Sequence, residues 1–119
     1  MKVIFLISLC LLSQISSIQW LGIDLSGWDD TVYWDVLQNE VKFVILRAGY
    51  GAGGSDSVYE AYYQKCKEIG MPVGAYWYAK ATTVEGARAE ANYFLQKLQG
   101  KQLEYPIYSG QHITLSLLF

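Results

Sequence analysis

Short apolar segments alternate with amphipathic ones along the chain, and this alternation restricts the possible folds more than any other feature. Apolar runs at residues 20–24, 43–48, 72–78 and 105–108 predict four strands, each separated from the next by enough chain for a crossover helix. Near-continuous apolar strands are typical of a parallel sheet, because each crossover helix buries its apolar stripe against it. The sequence therefore predicts an α/β fold with about four parallel strands.

Two of the intervening segments carry helix start and stop signals. The capping-box pairs are Ser57 with Glu60 and Thr82 with Glu85, and the glycines expected to end the two helices are Gly70 and Gly100. The apolar positions are Tyr59, Tyr62, Cys66 and Ile69 in the first helix, and Ala87, Ala91, Phe94, Leu95 and Leu98 in the second. A shorter helix is predicted around Trp34, Leu37 and Val41.

Residues 1–19 have the order of a secretory signal peptide. Lys2 precedes an apolar stretch at residues 3–12, and small and polar residues follow. The stretch is too short for a membrane span, which needs roughly 20 residues; an uncleaved anchor and a buried strand are the alternatives. We expect a secreted protein, or one in the lumen of a lysosome-like digestive vacuole, without a membrane contact after cleavage.

Composition excludes several classes of protein. With 52% hydrophobic and 17% charged residues, the 119-residue chain is neither disordered nor a coiled coil. A net charge of -2 does not favour nucleic-acid binding, which requires a basic face. Cys10 leaves with the signal, so Cys66 cannot form an internal disulfide, and we interpret it as a small apolar residue on a buried helix face.

The segment at residues 49–54 fits the pattern GxGxxG, follows a predicted strand and precedes a helix. A dinucleotide-binding unit is therefore one candidate function. The pattern also requires an acid at the end of the next strand to bind a ribose, but Tyr78, Ala79 and Lys80 occupy that position. A strand-to-helix loop without a ligand is the other interpretation.

Asp24 and several aromatic residues occur near predicted strand ends, where parallel α/β folds bind ligands. Asp24 could serve a ligand or cap the following turn, and both interpretations stay open. Tyr76 and Tyr78 share one face of the third strand, and Trp28 follows the turn after Asp24. Rings with an apolar face and a polar tip suit sugars. The other acids, Asp29, Asp30, Asp35 and Asp56, are interpreted as surface or helix-start residues.

Several motifs in this order resemble glycoside hydrolase family 25, the secreted lysozymes of the Chalaropsis type. The resemblance covers residues 20–108, and its motifs are residues 22–26 (GIDLS), Trp28, residues 43–51 (FVILRAGYG), Asp56 with Tyr59, and residues 70–78 (GMPVGAYWY). It assigns the glycine-rich segment to a barrel loop.

The resemblance implies a modified β/α barrel that cleaves the β-1,4 bond between N-acetylmuramic acid and N-acetylglucosamine in peptidoglycan, without a metal or cofactor. Asp24 would be the active-site acid of the first strand. Tyr76, Tyr78, Trp28 and Arg47 would contact the sugar. Residues 20–108 would form the N-terminal half of the barrel domain.

The family's catalytic Asp-x-Glu pair is expected after the fourth strand, near residues 110–112, but the sequence has no Asp or Glu after Glu104. Glycoside hydrolysis usually needs two carboxyl groups, and we do not expect His112 to replace one. Residues 109–119 form an apolar tail outside the family pattern. We therefore expect a truncated, weakly active or inactive lysozyme-like chain; a non-catalytic glycan-binding fragment is the alternative.

Overall fold

The computed structural model describes residues 21–111 and has the predicted α/β architecture. The strands are β1 (Gly22–Leu25), β2 (Phe43–Tyr50), β3 (Gly54–Ser55), β4 (Val73–Tyr78) and β5 (Ile107–Gly110). The helices are α1 (Trp34–Glu40), α2 (Tyr59–Glu68) and α3 (Val84–Leu98). The predicted signal peptide and His112 lie outside the described residues.

The four longer strands form one parallel sheet in the order β1-β2-β4-β5. The short β3 pairs antiparallel with the end of β2. Parallel neighbours require crossovers, which α1, α2 and α3 provide in turn. Ser109 and Gly110, which we had assigned to the tail, continue β5 and pair with Trp77 and Tyr78.

The two faces of the sheet have different surroundings. One face carries the apolar core, and its largest fully buried side chains are Val44, Leu46, Val73 and Trp77. Tyr59, Tyr63 and Cys66 of α2 and Phe94 of α3 pack against it. The opposite, inner face carries Asp24, Ile45, Arg47, Tyr76 and Tyr78, because side chains alternate along a strand.

Cys66 is buried on the core-facing side of α2, as expected for a small apolar residue. Burial raises the pKa of its thiol to about 11. The thiol therefore stays protonated at neutral pH and is a poor nucleophile. None of the helices described combines the length and hydropathy needed to cross a bilayer.

The predicted helix ends are correct, but the predicted starts are not. Gly70 and Gly100 adopt φ angles of 68° and 71°, which favour glycine and end α2 and α3. At the start of α2, Val58 is the cap residue and makes no side-chain capping bond. The predicted capping box of Ser57 and Glu60 is therefore wrong. At α3 the cap is Thr83, one residue later than predicted, with its hydroxyl accepting from Gly86 N at 3.1 Å.

The apolar stripe predicted for α3 is also narrower than expected. Phe94 is buried and Leu98 is partly buried, but Leu95 is 56% exposed. Glu90 is the other buried residue of this helix, and its carboxylate accepts hydrogen bonds from Lys80 N at 3.1 and 3.2 Å. A buried acid on a helix thus holds the chain just after β4.

The glycine-rich segment forms a tight hairpin instead of a phosphate-binding turn. Residues 49 and 50 pair back with residues 54 and 55, and α2 begins only at Tyr59. A dinucleotide site requires the glycine turn to lead directly into a helix N-terminus, whose N–H groups face the phosphates. This geometry is absent from the segment, and the dinucleotide interpretation is therefore wrong.

We expect Gly49→Ala to destabilise the fold by about 2–3 kcal/mol, as overpacking of a close contact does. A Cβ atom at Gly49 would overlap the Gly54 carbonyl and the Trp77 ring. Gly110→Ala is the matched control, because its Cβ would meet nothing within 4 Å. Urea unfolding of both variants measures the difference, and equal free energies of unfolding would contradict the close packing of the hairpin.

Candidate active site

The inner face of the sheet brings the predicted site residues to its carboxyl end. Strand register places Arg47, Tyr76 and Tyr108 side by side on β2, β4 and β5. Asp24 lies one inward-facing position before this row, on the edge strand β1. Ligands bind at the carboxyl ends of strands in parallel α/β folds, so this row is the candidate site.

Asp24 is a partly buried acid. Its pKa lies above the ordinary value, mainly because burial disfavours the charged carboxylate. Its own backbone N–H lowers the pKa in part, and the negative charge of Asp29 raises it. Asp29 itself is fixed, since its carboxylate accepts hydrogen bonds from Ser26 N at 2.6 Å and Ser26 Oγ at 3.1 Å. Asp24 therefore holds its proton to a higher pH than an exposed aspartate.

Tyr76 is a buried phenol beside Asp24. Burial raises its pKa to about 12, and the negative charge of Asp24 adds to the increase while Arg47 opposes it. The hydroxyl therefore remains a neutral hydrogen-bond donor and acceptor at physiological pH. Tyr78 pairs with Tyr50 one inward-facing position further along, nearer the mouth of the site.

Asp56 links three parts of the site by accepting hydrogen bonds. Arg47 Nε donates to Oδ2 at 2.7 Å, and both side chains are buried. Gly27 N lies 3.1 Å from each carboxylate oxygen, and Val58 N donates to Oδ1 at 3.1 Å. A Cβ at position 27 would lie 3.0 Å from Asp56 Oδ1 and 3.1 Å from Ser57 Oγ, so a larger residue there would require these side chains to shift.

Trp28 is 84% exposed but has a defined partner. The Arg47 guanidinium lies 4.8 Å from the centre of the indole ring and 5.4 Å from that of Tyr50. Both distances are within the range of a cation–π contact. The guanidinium is thus held by one carboxylate and two rings.

The structure thus brings Asp24, Arg47, Tyr76 and Tyr78 to one face, and Trp28 joins them through Arg47. The sequence analysis did not assign Tyr50, Tyr108 or Asp56 to the site. Strand parity is the signal that could have identified Tyr108, which shares the face of Tyr76. No sequence signal identified Asp56 as the partner of Arg47, because a bulge between Arg47 and Gly49 and the following hairpin bring them together.

No carboxylate occupies the position expected for the Asp-x-Glu pair. β5 ends at Gly110, and Gln111 follows. Within residues 21–111, no three His, Cys, Asp or Glu side chains come close enough to hold a metal ion. The chemistry that this part of the chain offers is one acid of raised pKa, a neutral phenol and several rings.

Comparisons with known proteins agree with this arrangement. The family model for glycosyl hydrolases family 25 matches residues 23–107. No curated protein sequence matches the chain significantly.

Solved structures of cell-wall lytic enzymes resemble the fold. The modular autolysin LytC from Streptococcus pneumoniae has a TM-score of 0.65 and 29% identity, covering 74% of this chain and 21% of its own; it has also been solved with a synthetic peptidoglycan ligand. The catalytic domain of endolysin ply40 from bacteriophage P40 of Listeria monocytogenes has a TM-score of 0.70 and 26% identity. The match covers 80% of this chain and 48% of the endolysin chain. The spore cortex lytic enzyme SleM from Clostridium perfringens has a TM-score of 0.64 and 26% identity. The match covers 73% of this chain and 31% of the SleM chain. The chain spans less than half the length of each.

Asp24→Asn should stabilise the folded chain at pH 7 and have little effect at pH 3. A raised folded-state pKa means that ionisation of Asp24 opposes folding. This cost is absent below the unfolded pKa, near 3.8, and is present in full above the folded pKa. Melting temperatures at the two pH values measure it.

Asp30→Asn is the control, because Asp30 is an exposed acid on the loop that follows β1. A gain in melting temperature for Asp24→Asn that is equal at pH 3 and pH 7 would show that the site does not destabilise the charge of Asp24.

Proposed function

Because this chain belongs to glycosyl hydrolase family 25, we propose that it derives from a secreted lysozyme that cleaves the β-1,4 bond between N-acetylmuramic acid and N-acetylglucosamine in peptidoglycan. The observation that carries the proposal is the row of Arg47, Tyr76 and Tyr108 at the carboxyl end of the sheet, with Asp24 one inward-facing position before it. The peptidoglycan ligand of the LytC structure supports the choice of polymer.

In this proposal Asp24 is the catalytic acid that this chain retains. Glycoside hydrolysis needs a group that protonates the leaving oxygen and a second one that stabilises or attacks the sugar cation. Partial burial raises the pKa of Asp24, as suits a carboxyl group that acts near neutral or mildly acidic pH. Tyr76, with its neutral hydroxyl, orients a sugar hydroxyl or acetamido group beside it.

The other binding residues have distinct tasks. Tyr78 lines the mouth of the groove, and Trp28 offers an exposed ring on which the apolar face of a sugar stacks. Arg47 acts mainly through its neighbours, since its Nε is bound to Asp56 and its guanidinium lies against Trp28. Sugar binding therefore depends on residues from the loop after β1, from β2 and from β4 together.

We further propose that hydrolysis by this chain is weak or absent. The sequence at residues 110–112, where the family's Asp-x-Glu pair is expected, is Gly-Gln-His. Loss of groups that act only in the transition state lowers turnover and leaves ground-state substrate binding in place. Glycan binding without cleavage is the alternative function that this observation favours. The apolar stretch at residues 3–12 supports export to the extracellular space or a digestive lumen.

We expect the mature chain to sediment with insoluble peptidoglycan and Tyr76→Phe to weaken this retention about fivefold, the cost of one hydrogen bond. Tyr59→Phe is the matched control. It also removes one buried phenol oxygen, but from the core face of the sheet, where that oxygen has no partner among residues 21–111. Its retention should equal that of the parent chain.

Turbidity of the same suspension measures hydrolysis. We expect slow clearing or none, and any clearing should disappear in Asp24→Asn while retention persists. A parent chain that neither sediments with peptidoglycan nor clears it would contradict the proposal. Rapid clearing that survives Asp24→Asn would contradict the role of Asp24.

A further inference from the structure

The parallel sheet has two open edges. Among residues 21–111, β1 and β5 are the outermost strands, and each pairs with one neighbour only. The backbone N–H and C=O groups on their outer sides can therefore pair with a further strand. Neither β1 (GIDL) nor β5 (IYSG) carries the lysine or proline that often blocks such pairing.

At the β5 edge, an apolar side chain of the core face is left uncovered. Ile107 pairs with Ala75 and so continues the row that starts at Leu25 on β1 and passes through Leu46 on β2. The other three members of this row are buried, whereas Ile107 is 47% exposed. Within the described residues, the core face thus ends at β5 in an isoleucine that lacks neighbours on its outer side.

At the β1 edge, an apolar groove lies between β1 and α1. Its apolar walls are Ile23, Leu25, Val32, Val36, Leu37 and Val41. The charged residues that line it, Asp29, Asp30 and Glu40, are all acids. The groove therefore suits an apolar side chain on a segment without negative charge. Residues 105–111 (YPIYSGQ), which carry Ile107, contain no charged residue.

The number and direction of the strands favour a second copy of the chain as the occupant. β1 and β5 run in the same direction at opposite ends of the sheet, so β5 of one copy can pair in parallel with β1 of another. Eight parallel strands close into a barrel whose interior is filled by side chains. Two copies of the four-stranded parallel sheet supply eight, and a two-fold axis repeats the same junction and leaves no edge open.

We propose that β1 and β5 together form the interface of a two-fold symmetric dimer of this chain, in which Ile107 of each copy enters the groove beside β1 of the other. Tyr108 of one copy then shares the inner face with Asp24 of the other, because both positions face inward in the sheet. The candidate site is thus completed by the second copy. The inference uses the geometry of the sheet and does not depend on the proposed sugar chemistry.

Sedimentation equilibrium of the mature chain tests the dimer. We expect twice the mass of one chain, with dissociation on dilution. Ile107→Asp should weaken the dimer about a hundredfold, because a charge among apolar and acidic residues costs about tenfold at each of the two junctions. Leu95→Asp is the matched control: Leu95 is an aliphatic residue of α3, 56% exposed, that does not line the groove. Its dissociation constant should equal that of the parent.

Cross-linking with a bismaleimide tests which edges meet and does not require the Ile107→Asp variant to fold. A mixture of Ile107→Cys and Ile23→Cys chains should give a cross-linked dimer, whereas Leu95→Cys mixed with Ile23→Cys should not. The native Cys66 is buried and should not react.

A parent chain that stays monomeric at every concentration would overturn the dimer. Polymers of steadily growing mass, or cross-linking of Ile107→Cys chains to one another in place of Ile23→Cys chains, would also overturn it. A chain that dimerises as expected but neither sediments with peptidoglycan nor clears it keeps this interface and loses only the proposed function.

Discussion

The buried carboxylate of Asp56 is the interaction on which the geometry of the site depends. It joins β2 through Arg47, the loop after β1 through Gly27, and the start of α2 through Val58. A buried charge is tolerated only when it is paired and hydrogen-bonded, so none of these contacts can be lost alone without leaving an uncompensated group. The loop carrying Trp28 and the end of β2 are therefore fixed as one unit.

Glu90 of α3 plays a similar part at the next strand. Its buried carboxylate binds Lys80 N just after β4, and the Lys80 ammonium lies 4.9 Å from the centre of the Tyr50 ring. The Tyr50 ring thus makes cation–π contacts with both Arg47 and Lys80. Two acids outside the parallel strands, one preceding α2 and one within α3, hold the strand-end loops and their aromatic side chains in position. These loops are consequently more ordered than their exposure suggests.

The sequence was sufficient for the four longer strands, their parallel direction and the glycines that end the helices, because apolar runs and helix stops are local signals. It did not predict the order of the strands in the sheet or the short β3. It failed at the starts of α2 and α3, where the side chains of Asp56 and Thr83 accept hydrogen bonds from Val58 N and Gly86 N in place of the predicted capping boxes. Tyr76 and Tyr78 could be placed on one face from strand parity alone, whereas Asp24 shares that face through the register of β1, β2 and β4. The partnership of Arg47 and Asp56 could not be found this way, since it depends on a bulge and a hairpin that fold back through space.

The acids near the site occupy contrasting environments, and this contrast separates structural from chemical roles. Asp56 accepts hydrogen bonds from Gly27 N, Val58 N and Arg47 Nε, so its oxygens are not available to a substrate. Asp29 is tied to the turn by Ser26. Asp24 lacks a cationic partner among the causes that shift its pKa, and burial together with Asp29 favours its protonated form. Of these three acids, Asp24 is the one that the fold leaves free to exchange a proton.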